Sequence, residues 1–230
     1  MKKITIALVL LVSAISFSQG NADLKAHYEA FYKQMKNQGD VQGVINAMTH
    51  LEVLTPSQSR RDTLAYLYVS EGKYLQALNT IGIDKNATDS DLNVEVKAIS
   101  LKNLNETKRA LEHYNVLFSR KANPSLAYEI ADLMIQNSDL TGAKAKIEYG
   151  ITNSKDDMKR AFYETQRPYE TSLKAAFLYL KALVTFQENQ TNVDPALKLV
   201  NDALAIDPNF NMAKRTREAL EAKKAAPAKN

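Results

Sequence analysis

The chain has 230 residues, 45% hydrophobic and 24% charged, with 30 basic and 26 acidic residues and a formal net charge of +4. That balance supplies enough apolar material for a sizeable core and excludes the low-hydrophobicity, high-charge composition of a disordered chain. There is no cysteine, which excludes disulfides, thiolate metal sites, cysteine nucleophiles and the lipid-bearing cysteine of a bacterial lipoprotein.

The first predicted element is a leader. Lys2 and Lys3 give a positive start, Ile4 to Phe17 is almost unbroken apolar sequence, and SQGNAD follows. A charged start, a short apolar core and a small, polar exit are the layout of a secretory signal peptide. The apolar run of 14 residues falls short of the about 20 that a spanning helix needs; a retained anchor is the alternative. The cut is placed after Ser18, with Gly20 as second choice. Residues 1–18 are then a signal peptide, and the mature chain is periplasmic or secreted with no membrane span. Removing Lys2 and Lys3 from the 30 basic residues leaves 28 against 26 acidic ones. These charges are interspersed, which reads as a solvated surface and not as a nucleic-acid footprint.

From about Lys25 a rhythm sets in. Small residues are followed four positions later by larger apolar ones: Ala77 by Ile81, Ala110 by Tyr114, Ala143 by Ile147, each 33 residues after the last. One step earlier stand Val44 and Met48. Twelve residues before the anchors come Ala65, Ala98 and Ala131, beside Leu64, Tyr68, Leu101, Ile130 and Met134. In the first unit Tyr32 takes that place, beside Phe31 and Met35. Each unit therefore reads as two amphipathic helices of roughly 12–15 residues. Their turns are NQGDVQ, SEGKYLQ, NLNETK and NSDLTG. Small residues recur where two helices cross closely. One helical hairpin cannot bury its own apolar faces, so neighbouring units must stack.

Between the second and third units lies DKNATDSDLNVE, with Asp84, Asn86, Thr88 and Glu95 at four places of a calcium loop. Asp89 stands where that loop needs glycine, and Asp91 where it needs an apolar residue. The better reading is an inter-repeat loop in which Ser90 or Thr88 caps the next helix. Ser70-Glu71-Gly72-Lys73 matches a Ser-x-x-Lys pair, but its companion motifs are missing. His27, His50 and His113 have no metal-ligand spacing and read as solvated helix faces. The sequence gives no catalytic set, metal site or cofactor site.

After Ala143 the rhythm breaks: the next clear anchor is Ala196, 53 residues on. The excess covers an insert at about 155–170, plus about two residues at Thr191-Asn192. Ser154-Lys155-Asp156-Asp157 resembles a helix start, so 155–164 is predicted as a short helix, with a turn forced at Pro168. A strongly apolar helix follows in SLKAAFLYLKALVTF, with Leu173, Ala176, Phe177, Leu180, Leu183 and Val184. Its pair runs from Pro195 to Ile206. A more polar helix over about Asn211 to Lys223 reads as a terminal cap, and 224–230 as a disordered tail.

Leu64-Ala65-x-x-Tyr68 followed by Gly72-x-Tyr74-x-x-Ala77, with Ala196, Val200, Ala203 and Pro208 closing the last unit, resembles the tetratricopeptide repeat family. The likeness covers about Lys25 to Asp156 and Thr171 to Pro208. It departs in its 33-residue period, in the missing tryptophan, and in Arg61 and Lys97 at places that are often apolar. The resemblance implies an all-α, right-handed superhelical solenoid of antiparallel helix pairs, about five units with a C-terminal cap helix, over residues 19–223. It also implies a non-catalytic scaffold or adaptor of the cell envelope that holds a protein or peptide. The alternative is a periplasmic glycan- or peptidoglycan-binding module.

In this family the first helix of each unit lines a concave groove. By register the groove residues are Glu29 and Lys33, Asp62 and Tyr66, Glu95 and Lys102, and Tyr128 and Asp132, with Tyr66 and Tyr128 as aromatic anchors. The insert offers Arg160, Phe162, Tyr163, Arg167 and Tyr169, either as partner contacts or as a staple over the adjacent repeats. The sequence carries no signal of oligomeric state.

Overall fold

The computed structural model describes the backbone of residues 2–225 and the side chains of residues 20–225. The side chains of the expected leader, 1–18, and most of the expected tail lie outside these. The chain falls into two compact units, 1–104 and 105–230, where the sequence reading drew a single domain over 19–223.

The first unit holds α1 (Lys2–Gln38), α2 (Val41–Leu54), α3 (Gln58–Ser70), α4 (Tyr74–Ile81) and α5 (Asp91–Asn103). The chain reverses between α1 and α2 at Gly39, whose φ of 71° favours glycine. Asp40 then caps α2 by accepting from the Gly43 amide at 2.8 Å. Gly43 lets the two helices close up: a Cβ there would sit 2.5 Å from the Met35 sulfur. Ala65 and Ala77 are fully buried and pack with Val96 across α3, α4 and α5. These are the small residues of the 33-residue register, and they stand where the register requires helix crossings.

The acidic loop after α4 contains its own cation. Lys97 of α5 is 2% exposed. Its Nζ donates to the Asp84 carbonyl at 2.8 Å and to the Asp89 carboxylate at 2.6 Å. A buried ammonium needs such partners, which accounts for a lysine at a position that is often apolar. Ser90 caps α5, accepting from the Asn93 amide at 3.2 Å. Arg61 is likewise engaged, 2.6 Å from Glu52.

The second unit holds α6 (Thr107–Arg120), α7 (Pro124–Gln136), α8 (Leu140–Asn153), β1 (Lys159–Phe162), β2 (Tyr169–Ser172), α9 (Leu173–Glu188), α10 (Asp194–Ile206) and α11 (Asn211–Ala225). Its core is one cluster centred on α7 and α9, from Ala127 through Phe177 and Leu180 to Phe210. Gly150 of α8 makes room for the Phe177 ring; a Cβ there would fall 1.9 Å from Phe177 Cζ. His113 is buried in α6 and not solvated as its sequence suggested. The cap helix extends past its expected end, since Lys224 continues α11 and pairs with Asp194 at 2.6 Å.

Left-handed residues recur at the turns that follow α1, α3, α5 and α7. They are Gly39, Gly72, Asn105 and Ser138, with φ of 71°, 69°, 64° and 62°. They keep the 33-residue interval of the sequence register.

The insert is a correction. Residues 159–172 form an antiparallel β-hairpin in place of the predicted helix, pairing Arg160 with Thr171 and Phe162 with Tyr169. Ser154, read as a helix start, instead closes α8: its hydroxyl donates to the Gly150 carbonyl at 2.6 Å. Alternation then favours strands. Arg160, Phe162, Tyr169 and Thr171 share one face, and Lys159, Ala161 and Glu170 the other.

Candidate functional site

The hairpin is fastened to the first helices of its neighbouring pairs. Arg160 reaches Glu129 of α7 at 2.5 Å, and its guanidinium lies 4.0 Å from the centroid of the Tyr128 ring. Phe162 lies edge-on to Tyr128 at 6.4 Å, stacks on Tyr169 at 5.7 Å, and meets Phe210 at 5.1 Å. Tyr179 of α9 meets Phe210 from the other side at 5.2 Å. The Thr171 hydroxyl donates to Asp207 at the end of α10. Burial raises the Tyr128 pKa well above the ordinary tyrosine value, against the opposing pull of Arg160. For Arg160 burial works against the charge, but Glu129, Tyr128 and Asp132 together raise its pKa.

Beyond this cluster α9 and α11 face each other across a groove of about 640 Å³. Ala182, Leu183 and Phe186 line it from α9; Met212, Ala219 and Leu220 line it from α11. Tyr179 closes one end, its hydroxyl hydrogen-bonded with Thr216, and burial raises its pKa. Arg215 and Lys223 stand on the rim, with the Lys223 ammonium 5.6 Å from the Phe186 ring centroid. The hairpin loop contributes Glu164, which accepts from the Tyr169 hydroxyl at 2.5 Å. An apolar floor under a mostly cationic rim suits a partner segment with an apolar side and acidic flanks.

The sequence-predicted residues divide into three groups. Tyr66, 52% exposed, and Glu95 are open on the first unit. Asp62 there is half-buried and accepts from Asn93 at 3.0 Å, joining α3 to α5; Lys102 is half-buried. Tyr128, expected as an exposed anchor, is 3% exposed and roofed by the hairpin. Asp132, on the same helix, accepts from Gln136 at 3.1 Å. Arg160, Phe162 and Tyr169 come together, but inward, as the staple. Tyr163, 75% exposed, and Arg167 stay exposed at the loop. The groove residues Tyr179, Phe186, Met212, Arg215 and Lys223 were missed. The available signal was the excess apolar width of 173–187, more than one buried stripe requires.

Three solved structures share this architecture. A tetratricopeptide repeat protein from Parabacteroides merdae aligns with a TM-score of 0.65 over 88% of this chain and 74% of its own, at 14% identity. The chain has the tetratricopeptide repeat (TPR) fold. YrrB, described as a TPR protein with an unusual peptide-binding site, aligns at 0.63 over 83% and 90%, with 12% identity. The Cut9–Hcn1 hetero-tetramer of the APC/C aligns at 0.53 over 84% of this chain and 35% of that one, at 16% identity. No sequence model of a protein family matches the chain, and no curated protein matches it. In TPR terms α7 and α9 are the first helices of successive pairs, α11 follows as the cap helix, and the hairpin enters between α8 and α9. Among the described residues no helix is long and apolar enough to cross a membrane. No group of three or more His, Cys, Asp or Glu among them could hold a metal ion.

Proposed function

We propose that this TPR chain is a non-catalytic scaffold of the bacterial cell envelope that holds a protein or peptide segment in the groove between α9 and α11. The observation that carries the reading is the groove's lining, half-buried Leu183, Phe186 and Met212 beneath Arg215 and Lys223. A groove of this kind accepts an amphipathic segment, apolar side inward. A solved neighbour described as having a peptide-binding site supports the general class. The envelope location rests on the leader, with its Lys2-Lys3 start and 14-residue apolar run. The test is capture from envelope extract by the intact chain and by Leu183→Glu. The intact chain retains one dominant protein, and the variant loses it; equal recovery by both removes the groove from the account.

The glycan alternative rests on a different place. A cleft of about 410 Å³ in the first unit is lined by Gln42, Asn46, Thr49, His50, Tyr68, Lys73 and Gln76. Amides and hydroxyls beside aromatic rings are the groups that sugars use, and His50 stacks on Tyr28 at 4.2 Å. Calorimetric titration with soluble peptidoglycan fragments tests it: heat lost on Asn46→Ala supports a sugar site, and no heat from the intact chain ends it.

A further inference from the structure

The groove between α9 and α11 has a direction built into it. Tyr179 of α9 is hydrogen-bonded with Thr216 of α11, and the Lys223 ammonium of α11 lies 5.6 Å from the Phe186 ring centroid of α9. Each helix advances seven residues between these two contacts, so both run the same way along the groove. The lining recurs at Tyr179, Leu183 and Phe186 on one wall and at Thr216, Ala219 and Lys223 on the other. Steps of three and four keep each set on one face of its helix, and ridges so spaced accept a third helix laid between them. An extended segment would leave amides and carbonyls over this floor without partners. Among the described residues no Asn or Gln lines the groove, and the main chains of α9 and α11 are bonded within their own helices. A helix satisfies its own main chain and needs no such partners.

The charged side chains in the lining are Glu164, Arg215 and Lys223. Glu164 comes from the hairpin loop and stands at the start of α11. The Tyr169 hydroxyl donates to it at 2.5 Å, and Tyr169 is hydrogen-bonded with the backbone at Met212. Tyr169 also stacks on the buried Phe162, so the staple holds this carboxylate at the groove's end. A carboxylate accepts several donors, and the first-turn amides of any helix lack partners of their own. Arg215 and Lys223 follow on α11, eight residues apart, which is about 12 Å along the axis. We propose that the groove takes a partner's amphipathic helix in one direction only, parallel to α9 and α11, with its first turn against Glu164 and two acidic side chains toward Arg215 and Lys223. An acidic residue in the first turn, beside Arg215, also suits the dipole of a helix lying that way. This rests on the groove reading above and adds the conformation, charge and direction of the bound segment.

The probe is a labelled synthetic peptide with Leu along one helical face and two Glu eight residues apart beside it, titrated with the full chain by fluorescence anisotropy. The peptide binds, and Leu183→Glu abolishes binding. The double variant Arg215→Glu, Lys223→Glu weakens it about tenfold and instead binds the same peptide with Lys for Glu. Glu164→Gln weakens it about threefold, and a central proline in the peptide abolishes binding. Direction is read by disulfide formation in a glutathione buffer, since the chain has no cysteine of its own. A cysteine at the peptide's N-terminus joins Thr165→Cys, beside Glu164, and one at its C-terminus joins Ala222→Cys, beside Lys223; the crossed pairs do not form. The proposal is overturned if the Glu peptide does not bind, if the proline peptide binds equally well, or if the crossed pairs form as readily. It is also overturned if sedimentation shows a dimer of the chain that Leu183→Glu dissolves. Crossed pairs with binding still lost on Leu183→Glu overturn the direction alone. Equal capture of the envelope partner by the intact chain and Leu183→Glu overturns the groove reading beneath it.

Discussion

Truncating Phe162 to alanine removes the side chain by which the hairpin is fastened. The ring is 8% exposed and touches Tyr128, Tyr169 and Phe210. Buried Phe→Ala changes cost about 3–5 kcal/mol, including the cavity left behind. The lower end applies here, because strands of 4 residues can relax into the gap. A loss of about 3 kcal/mol corresponds to a roughly hundredfold larger open population of the hairpin. Native-state hydrogen exchange of the amides in 159–172 reads this directly and is not confused by the presence of two compact units. The neighbouring Tyr163, 75% exposed, is the internal control: Tyr163→Ala changes stability by no more than about 0.5 kcal/mol. Equal, small effects from the two substitutions would refute the staple.

Gly150→Ala destabilises the second unit. Its new Cβ falls 1.9 Å from Phe177 Cζ, and overpacking costs of about 1–3 kcal/mol outweigh the roughly 1 kcal/mol gained in helix propensity. Thermal melts show part of the loss restored when Phe177→Leu is added. Ser138→Gly stabilises by about 1 kcal/mol in denaturant unfolding, because a non-glycine residue at φ 62° is relieved of left-handed strain. Lys97→Met costs about 3 kcal/mol, since it takes the ammonium from a nearly buried Asp89; Asp89→Asn in the same chain recovers much of that. Tyr128, Tyr169 and Tyr179 have pKa values raised chiefly by burial. Their contribution is complete below the ordinary value of about 10 and is lost as pH rises through the higher folded values. Ultraviolet titration therefore shows these tyrosines ionising later than the exposed ones, together with loss of helix.

The repeat architecture was legible because crossing helices demand small residues at fixed intervals, and Ala65, Ala77 and Ala143 announce them. The turns were legible too, since Gly39 and Gly72 sit where the chain needs left-handed backbone. Lys97 was visible as a polar intruder, but its reason was not: the partners come from a loop whose path no periodicity dictates. The hairpin was missed because each strand contributes only Arg160 with Phe162, or Tyr169 with Thr171, to one face. Two alternations are too few to outweigh a segment that imitates a helix cap. Tyr128 was expected as an exposed anchor and is buried, because no local pattern tells that a distant insert folds back over it. The groove depends on how α11 packs beside α9, and the polar character of the cap helix concealed Met212, Ala219 and Leu220.

The central claim is that a protein segment lies between α9 and α11. A photo-cross-linking residue placed at Phe186, in the groove, tests it in cells that make the chain natively. The same residue at Ile206, 48% exposed on α10, serves as the reference on the same unit. The account predicts one dominant protein adduct from position 186, its loss on Leu183→Glu, and none from position 206. No adduct from 186, or the same adducts from both positions, would contradict it.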